Sequence, residues 1–112
     1  MRMWNVDPKK MCIKHILGEH LEMHMFLGSI KKKRSIKGFI QKGLVEVHNI
    51  ISRHDEISKE LFNRTKNKHK TNFSEEDTRL LWNEGCVDSN LSESTLYERC
   101  NQCRYLMDSI NK

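Results

Sequence analysis

The chain has 112 residues, 37% of them hydrophobic and 31% charged, which is enough apolar content for one domain with its own core and too much for a disordered chain. Twenty Lys and Arg against fifteen Asp and Glu leave a formal charge of +5, a balance that draws a small domain toward polyanions. No apolar run approaches the roughly 18 residues of a membrane span, the N-terminal Met-Arg-Met-Trp-Asn-Val-Asp-Pro holds no apolar signal core, and one Pro with five Gly is lean for a many-turned sandwich, so membrane, collagenous and secreted disulfide-rich classes are excluded.

The apolar spacing is helical almost throughout. Asp7 followed by Pro8 reads as an N-cap with Pro at the first helical position. From there Met11, Cys12, Ile16, Leu17, His20, Met23, Leu27 and Ile30 recur at three- and four-residue steps, the pattern of one long amphipathic helix. Gly28 and the run Lys31-Lys32-Lys33-Arg34 end or loosen it. A turn-rich link with Ser35, Gly38 and Gly43 follows, and a second helix is predicted from about Val45 to Arg64, burying Ile50, Ile51, Ile57, Leu61 and Phe62. Residues 65–73 lack periodicity and read as a loop. Ser74-Glu75-Glu76-Asp77 is a helix start, with Leu80, Leu81 and Trp82 following and Gly85 as a C-terminal stop. Asn90 and Ser92 open a last helix carrying Leu96, Tyr97, Cys100, Tyr105, Leu106 and Ile110. With no repeat and no strand signal, the expected fold is all-α: a small, compact, single-domain helical bundle with a long N-terminal amphipathic helix, divided into residues 1–73 and a C-terminal helical part, 74–112.

Two stripes of ionisable groups mark the first helix. His15, Glu19 and Glu22 share one face at i, i+4, i+7, and His20 and His24 share another at i, i+4. The histidine pair has the spacing of two metal ligands, but the Glu of a His-Glu-x-x-His motif is displaced here to Glu22, and a third ligand would have to come from His48 or His54. The ordinary reading is a pair of surface or half-buried histidines. Cys100-Asn-Gln-Cys103 is half of a zinc site or a redox pair. A zinc site would need two partners, Cys86 and Cys12 at an irregular spacing, and buried free thiols are the simpler reading. With no export signal the four cysteines are expected to be reduced. Gly-rich phosphate loops and Gly-x-Ser-x-Gly elbows are absent from the sequence. The basic run at 31–34 and a second from Arg64 to Lys70 read either as solvated loops or as two edges that contact phosphate.

Residues 1–32, and more weakly 44–64, resemble the pyrimidine-dimer DNA glycosylases of the T-even phage endonuclease V type. Arg2 falls on that family's arginine next to the N-terminus, His15 on a histidine in the first helix, Glu22 on the catalytic glutamate and Gly28 on a glycine that follows it. Arg53, Glu56, Glu60 and Arg64 fall on like residues of the second helix. The resemblance implies a DNA repair glycosylase with AP-lyase activity that excises a damaged base, a pyrimidine dimer first of all, through a Schiff base formed by the N-terminal amine. It also implies double-stranded DNA as partner, no metal or other cofactor, and a monomer in the cytoplasm of a prokaryotic or phage-infected cell. The N-terminal amine suits the task, since α-amines as a class titrate near 7.7–8.0 against about 10.4 for lysine.

The implied catalytic residues are Met1, as nucleophile, and Glu22, which would stabilise the sugar cation and move protons. The implied DNA-binding residues are Arg2, His15, Lys31, Lys32, Lys33 and Arg34, with His15 orienting Glu22 or touching a phosphate. The phage enzyme exposes a threonine amine after loss of its first methionine, whereas here the bulky Arg2 should keep Met1 in place. Leu21 and Met25 stand where the phage enzyme has arginines, and that enzyme's aromatic, basic C-terminal segment has no counterpart in Cys86 to Lys112. The alternative is a non-enzymatic DNA-binding or zinc-binding helical module in which His20, His24 and the cysteines hold metal.

Overall fold

In the computed structural model, residues 1–66 and 73–110 are described. Among the described residues there are six α-helices and no strand: α1 (Ile13–Lys31), α2 (Lys37–Gln41), α3 (Ile50–Thr65), α4 (Glu75–Arg79), α5 (Ser89–Arg99) and α6 (Asn101–Ile110). None of them is long and apolar enough to cross a membrane. The molecule is a flattened body of 43 × 32 × 17 Å.

Several helix boundaries depart from expectation. Asp7 does cap, accepting a hydrogen bond from the Lys9 amide, but the helix it opens is a single 3-10 turn over Pro8–Lys10. The chain then extends through Met11 and Cys12 before α1 begins. Gly28 lies inside α1, which closes at Lys32 in the basic run. The link after it contains the short α2, and the stretch from Val45 enters α3 only after a second 3-10 turn at Val47–Asn49. Ser74 and Asp77 form a capping box, yet α4 stops at Arg79 rather than running to Gly85. The last helix is two. Asp88, not Asn90 or Ser92, caps α5 by accepting from the Leu91 amide, and Cys100, in extended conformation, separates α5 from α6.

The buried face of α1 meets α3, and the two run antiparallel. Met23, Phe26 and Leu27 of α1 join Ile50 of α3 in one apolar cluster with Met3, Ile36, Val45, Val47 and Val87. Ile16 of α1 joins Ile57 of α3 in a second, with Val6, Met11, Cys12, Leu96, Cys103 and Met107. The Arg53 guanidinium of α3 lies between the clusters along both helices. It donates to both carboxylate oxygens of Glu19, Nε to Oε2 at 2.6 Å and Nη2 to Oε1 at 2.9 Å.

The N-terminal segment is strapped across this pair: Met3 is fully buried and its amide donates to the Leu44 carbonyl at 2.6 Å. The chain after α4 is pinned in the same manner. Val47 N–H donates to the Glu84 carbonyl and Val87 N–H to the Glu46 carboxylate. Gly85 between them has φ +95°, and a Cβ there would lie 2.2 Å from the Val45 carbonyl oxygen, so the close approach of the two strands of chain requires glycine.

Candidate active site

The strap and α1 enclose a cleft of about 360 Å³ lined by Met1, Arg2, Trp4, Lys14, His15, Gly18, Glu19 and Glu22. That is within the usual range for a small-molecule or nucleoside-sized site, roughly 300–1,000 Å³. Its walls follow from two periodicities. The burial of Met3 in the core turns its neighbours Arg2 and Trp4 toward the cleft, and steps of three and four residues along α1 bring Lys14, His15, Gly18 and Glu22 to the facing side.

Glu22 is held from the strap. Its Oε2 accepts a hydrogen bond from the Arg2 backbone N–H at 3.1 Å. That nitrogen is three covalent bonds from the Met1 amine, so the carboxylate is fixed beside the chain's first residue. The Arg2 guanidinium stacks over the Trp4 ring, 3.8 Å from its centroid, and donates through Nη2 to Ser92 Oγ at 3.3 Å. Burial lowers the Arg2 pKa from its ordinary value, against the opposing pull of Glu19 and Glu22; a guanidinium nonetheless stays charged. Arg2 and Lys14 make this a cleft with a carboxylate inside and cations at its wall.

The three residues that share a face by periodicity have different surroundings. Glu19 is buried and neutralised by Arg53, an ion pair whose side chains are 0% and 2% exposed. Burial works against the Arg53 charge, but hydrogen bonds and charge from Glu19 and Glu56 overcome it and raise its pKa. His15 packs edge-on against Trp4 with ring centroids 5.6 Å apart. No hydrogen bond joins it to Glu22 among the described residues. Its Nδ1 lies 3.1 Å from Cys12 Sγ and 3.6 Å from Cys103 Sγ instead. Burial and the neighbouring Lys14 lower the His15 pKa, with Glu22 partly offsetting them.

The two basic runs are placed elsewhere. Lys31, Lys32, Lys33 and Arg34 are exposed at the C-terminal end of α1, where cations complement the helix dipole. They begin nine residues beyond Glu22, about 13 Å along the axis. Lys31 pairs with Asp77 at 2.7 Å. In the second run Arg64 is satisfied internally, by Glu60 at 2.7 Å and the Pro8 carbonyl at 2.9 Å, while Lys68, His69 and Lys70 lie outside the described residues. Leu21 and Met25, on the α1 face adjoining Glu22, are 60% and 46% exposed.

Two further clusters have metal-ligating composition. His20, His24 and His54 bring three ring nitrogens within 4.8 Å of one another. His24 and His54 face each other at 3.0 Å between Nε2 atoms, and His54 Nδ1 meets Asp55 at 2.9 Å. His54 is one of the two histidines the sequence offered as a third member; the other, His48, is exposed in the 3-10 turn before α3. The second cluster is Cys12, His15, Cys100 and Cys103, again within 4.8 Å. Sequence reasoning brought Cys12 to the Cys100/Cys103 pair but chose the exposed Cys86 as fourth member and missed His15. The signal was present as a second two-residue spacing, Cys12-Ile-Lys-His15, matching Cys100-Asn-Gln-Cys103.

No curated protein and no solved structure matches the chain. A family model described as pyrimidine dimer DNA glycosylase matches residues 1–74, the stretch that supplies every wall of the cleft around Glu22. By that match over the larger part of its length, the chain belongs to the pyrimidine dimer DNA glycosylase family.

Proposed function

We propose that the protein is a DNA repair glycosylase with AP-lyase activity, acting as a single chain on double-stranded DNA, with Met1 as nucleophile and Glu22 as acid–base residue. The observation that carries this reading is the Glu22 carboxylate hydrogen-bonded to the Arg2 amide in a cleft that Met1 lines. Family membership supplies the reaction class and makes a pyrimidine dimer the first lesion to test.

In this mechanism the neutral α-amine attacks C1′ of the damaged nucleotide, and the glycosidic C1′–N bond breaks with its electron pair leaving on the base. Glu22 offsets the positive charge that develops at the sugar. The amine then loses a proton, the ring oxygen gains one, and the opened sugar is held as an imine on Met1. Removal of a C2′ proton expels the 3′ phosphate by β-elimination, and water releases the amine. A carboxylate fixed one residue from the nucleophile can serve both proton transfers. Arg2 and Lys14 offer phosphate contacts at the cleft, Lys32, Lys33 and Arg34 a second contact further along the duplex, and the exposed Leu21 and Met25 an apolar surface against the disturbed base step.

Borohydride trapping tests this directly. The chain with a free N-terminus should give a reduced covalent adduct on abasic-site and on ultraviolet-irradiated duplex, mapping to the peptide that begins at Met1. An uncleaved residue ahead of Met1 converts the amine to an amide and should abolish the adduct, whereas the same tag at the C-terminus should not. An adduct that forms with a blocked N-terminus, or that maps to a lysine, removes the mechanism.

A further inference from the structure

We propose that Cys12, His15, Cys100 and Cys103 form a structural zinc site that fastens the α5–α6 extension to the start of α1. The four ligand atoms are gathered at close to the spacing of a tetrahedral ion, with His15 Nδ1 and Cys12 Sγ about half an ångström nearer than such an ion sets them. Zinc bonded to sulfur at about 2.3 Å and to nitrogen at about 2.0–2.1 Å sets sulfur–sulfur separations near 3.8 Å and nitrogen–sulfur separations near 3.6 Å. Cys12 Sγ and Cys100 Sγ are 3.8 Å apart, and His15 Nδ1 is 3.6 Å from Cys103 Sγ and 3.1 Å from Cys12 Sγ. All four atoms fall within 4.8 Å of one another, and the cysteines are free thiols.

The backbone presents these ligands in two equivalent halves. Each half opens on a residue in extended conformation just before a helix, Cys12 ahead of α1 and Cys100 ahead of α6, and its second ligand follows three residues later in the first helical turn. Helix N-termini favour thiolate. Backbone amides supply the outer contacts of a thiolate site: Cys12 N–H donates to Cys103 Sγ at 3.2 Å and Cys103 N–H to Cys100 Sγ at 3.5 Å. Cys12 and Cys103 are buried, and Trp4 packs on the His15 ring. With four protein ligands and no open position, the arrangement is that of a structural rather than a catalytic ion. On binding, three thiols release their protons to solvent and the imidazole stays neutral, so no oxidant or reductant is involved.

The halves come from opposite ends of the chain, and the second lies beyond the 1–74 stretch that matches the family. The ion would therefore close a loop of nearly the whole chain, where a cross-link constrains the unfolded state most. It would also fix His15, and through it the wall of the Glu22 cleft, which makes His15 a positioning residue.

The test uses full-length protein without a metal-chelating tag, loaded with zinc or cobalt, and its readouts do not depend on the glycosylase reading. The site predicts one zinc per chain, a zinc X-ray absorption spectrum with three sulfurs and one nitrogen, and a cobalt form with thiolate charge-transfer and intense tetrahedral bands. Cys86→Ser, at an exposed thiol outside the cluster, should leave all three unchanged. Cys100→Ser and Cys103→Ser should weaken zinc binding at least tenfold, and His15→Cys should retain zinc in a four-sulfur shell. The absorption spectra of wild type and His15→Cys decide the matter if the serine variants do not fold. Less than stoichiometric zinc after loading, an all-nitrogen shell, which would point to His20, His24 and His54, or an unaltered shell in His15→Cys would each overturn the proposal.

Discussion

Replacing Glu19 by Gln removes one charge from the ion pair at the α1–α3 crossing and leaves Arg53 buried between two apolar clusters. The Arg53 and Glu19 side chains are 2% and 0% exposed, while the other partner of Arg53, Glu56, is 55% exposed. Removing one member of a buried pair costs about 3–5 kcal/mol. Gln still accepts one hydrogen bond and Glu56 still pairs, so a loss near 3 kcal/mol is expected, a large share of the roughly 5–15 kcal/mol that holds a domain together. For a chain of this size that corresponds to a fall in Tm of about 10 °C or more. Glu19→Leu combined with Arg53→Met, which removes both charges, should recover most of the loss. Circular dichroism melting at pH 7 measures all three proteins, and excision is assayed well below the variants' Tm. Glu19→Gln should keep its excision rate there. A Tm within about 2 °C of wild type together with lost excision would refute the structural assignment and move the catalytic carboxylate from Glu22 to Glu19.

Glu22→Gln should bind damaged duplex as wild type does and lose excision by about 100- to 10,000-fold, measured by single-turnover base release. Neutralising Lys32, Lys33 and Arg34 together should reduce the slope of log K against log salt by up to about 3, with every duplex weakened alike; Lys31, engaged by Asp77, should add less. Asp77 is held below its ordinary 3.8 by Lys31 and by its capping bond to Ser74. A carboxyl depressed in the folded state adds stability that is present above its unfolded pKa and is lost as pH falls through the folded one. The urea-midpoint difference between wild type and Asp77→Asn should therefore be full at pH 7 and shrink below about pH 4.

Local sequence determined the all-helical class, the helix carrying Glu22, the α3 face built on Ile50 and Ile57, and the Ser74–Asp77 capping box, because apolar periodicity and caps are properties of neighbouring residues. The family resemblance over the first half was legible for the same reason, in the spacing of His15 and Glu22 behind a basic N-terminus. Periodicity could not separate Glu19 from Glu22, since both lie on one face of α1. Arg53, 34 residues away, neutralises one and the strap at Arg2 holds the other. Nor could it show that the last helix breaks at Cys100, where extended backbone aims two thiols at Cys12 and His15 across 88 residues of chain. His54 reaches His24 by the same α1–α3 packing. Such pairings are set by which apolar faces bury against each other, a condition satisfied only when the whole chain has closed, and no local window of sequence contains it.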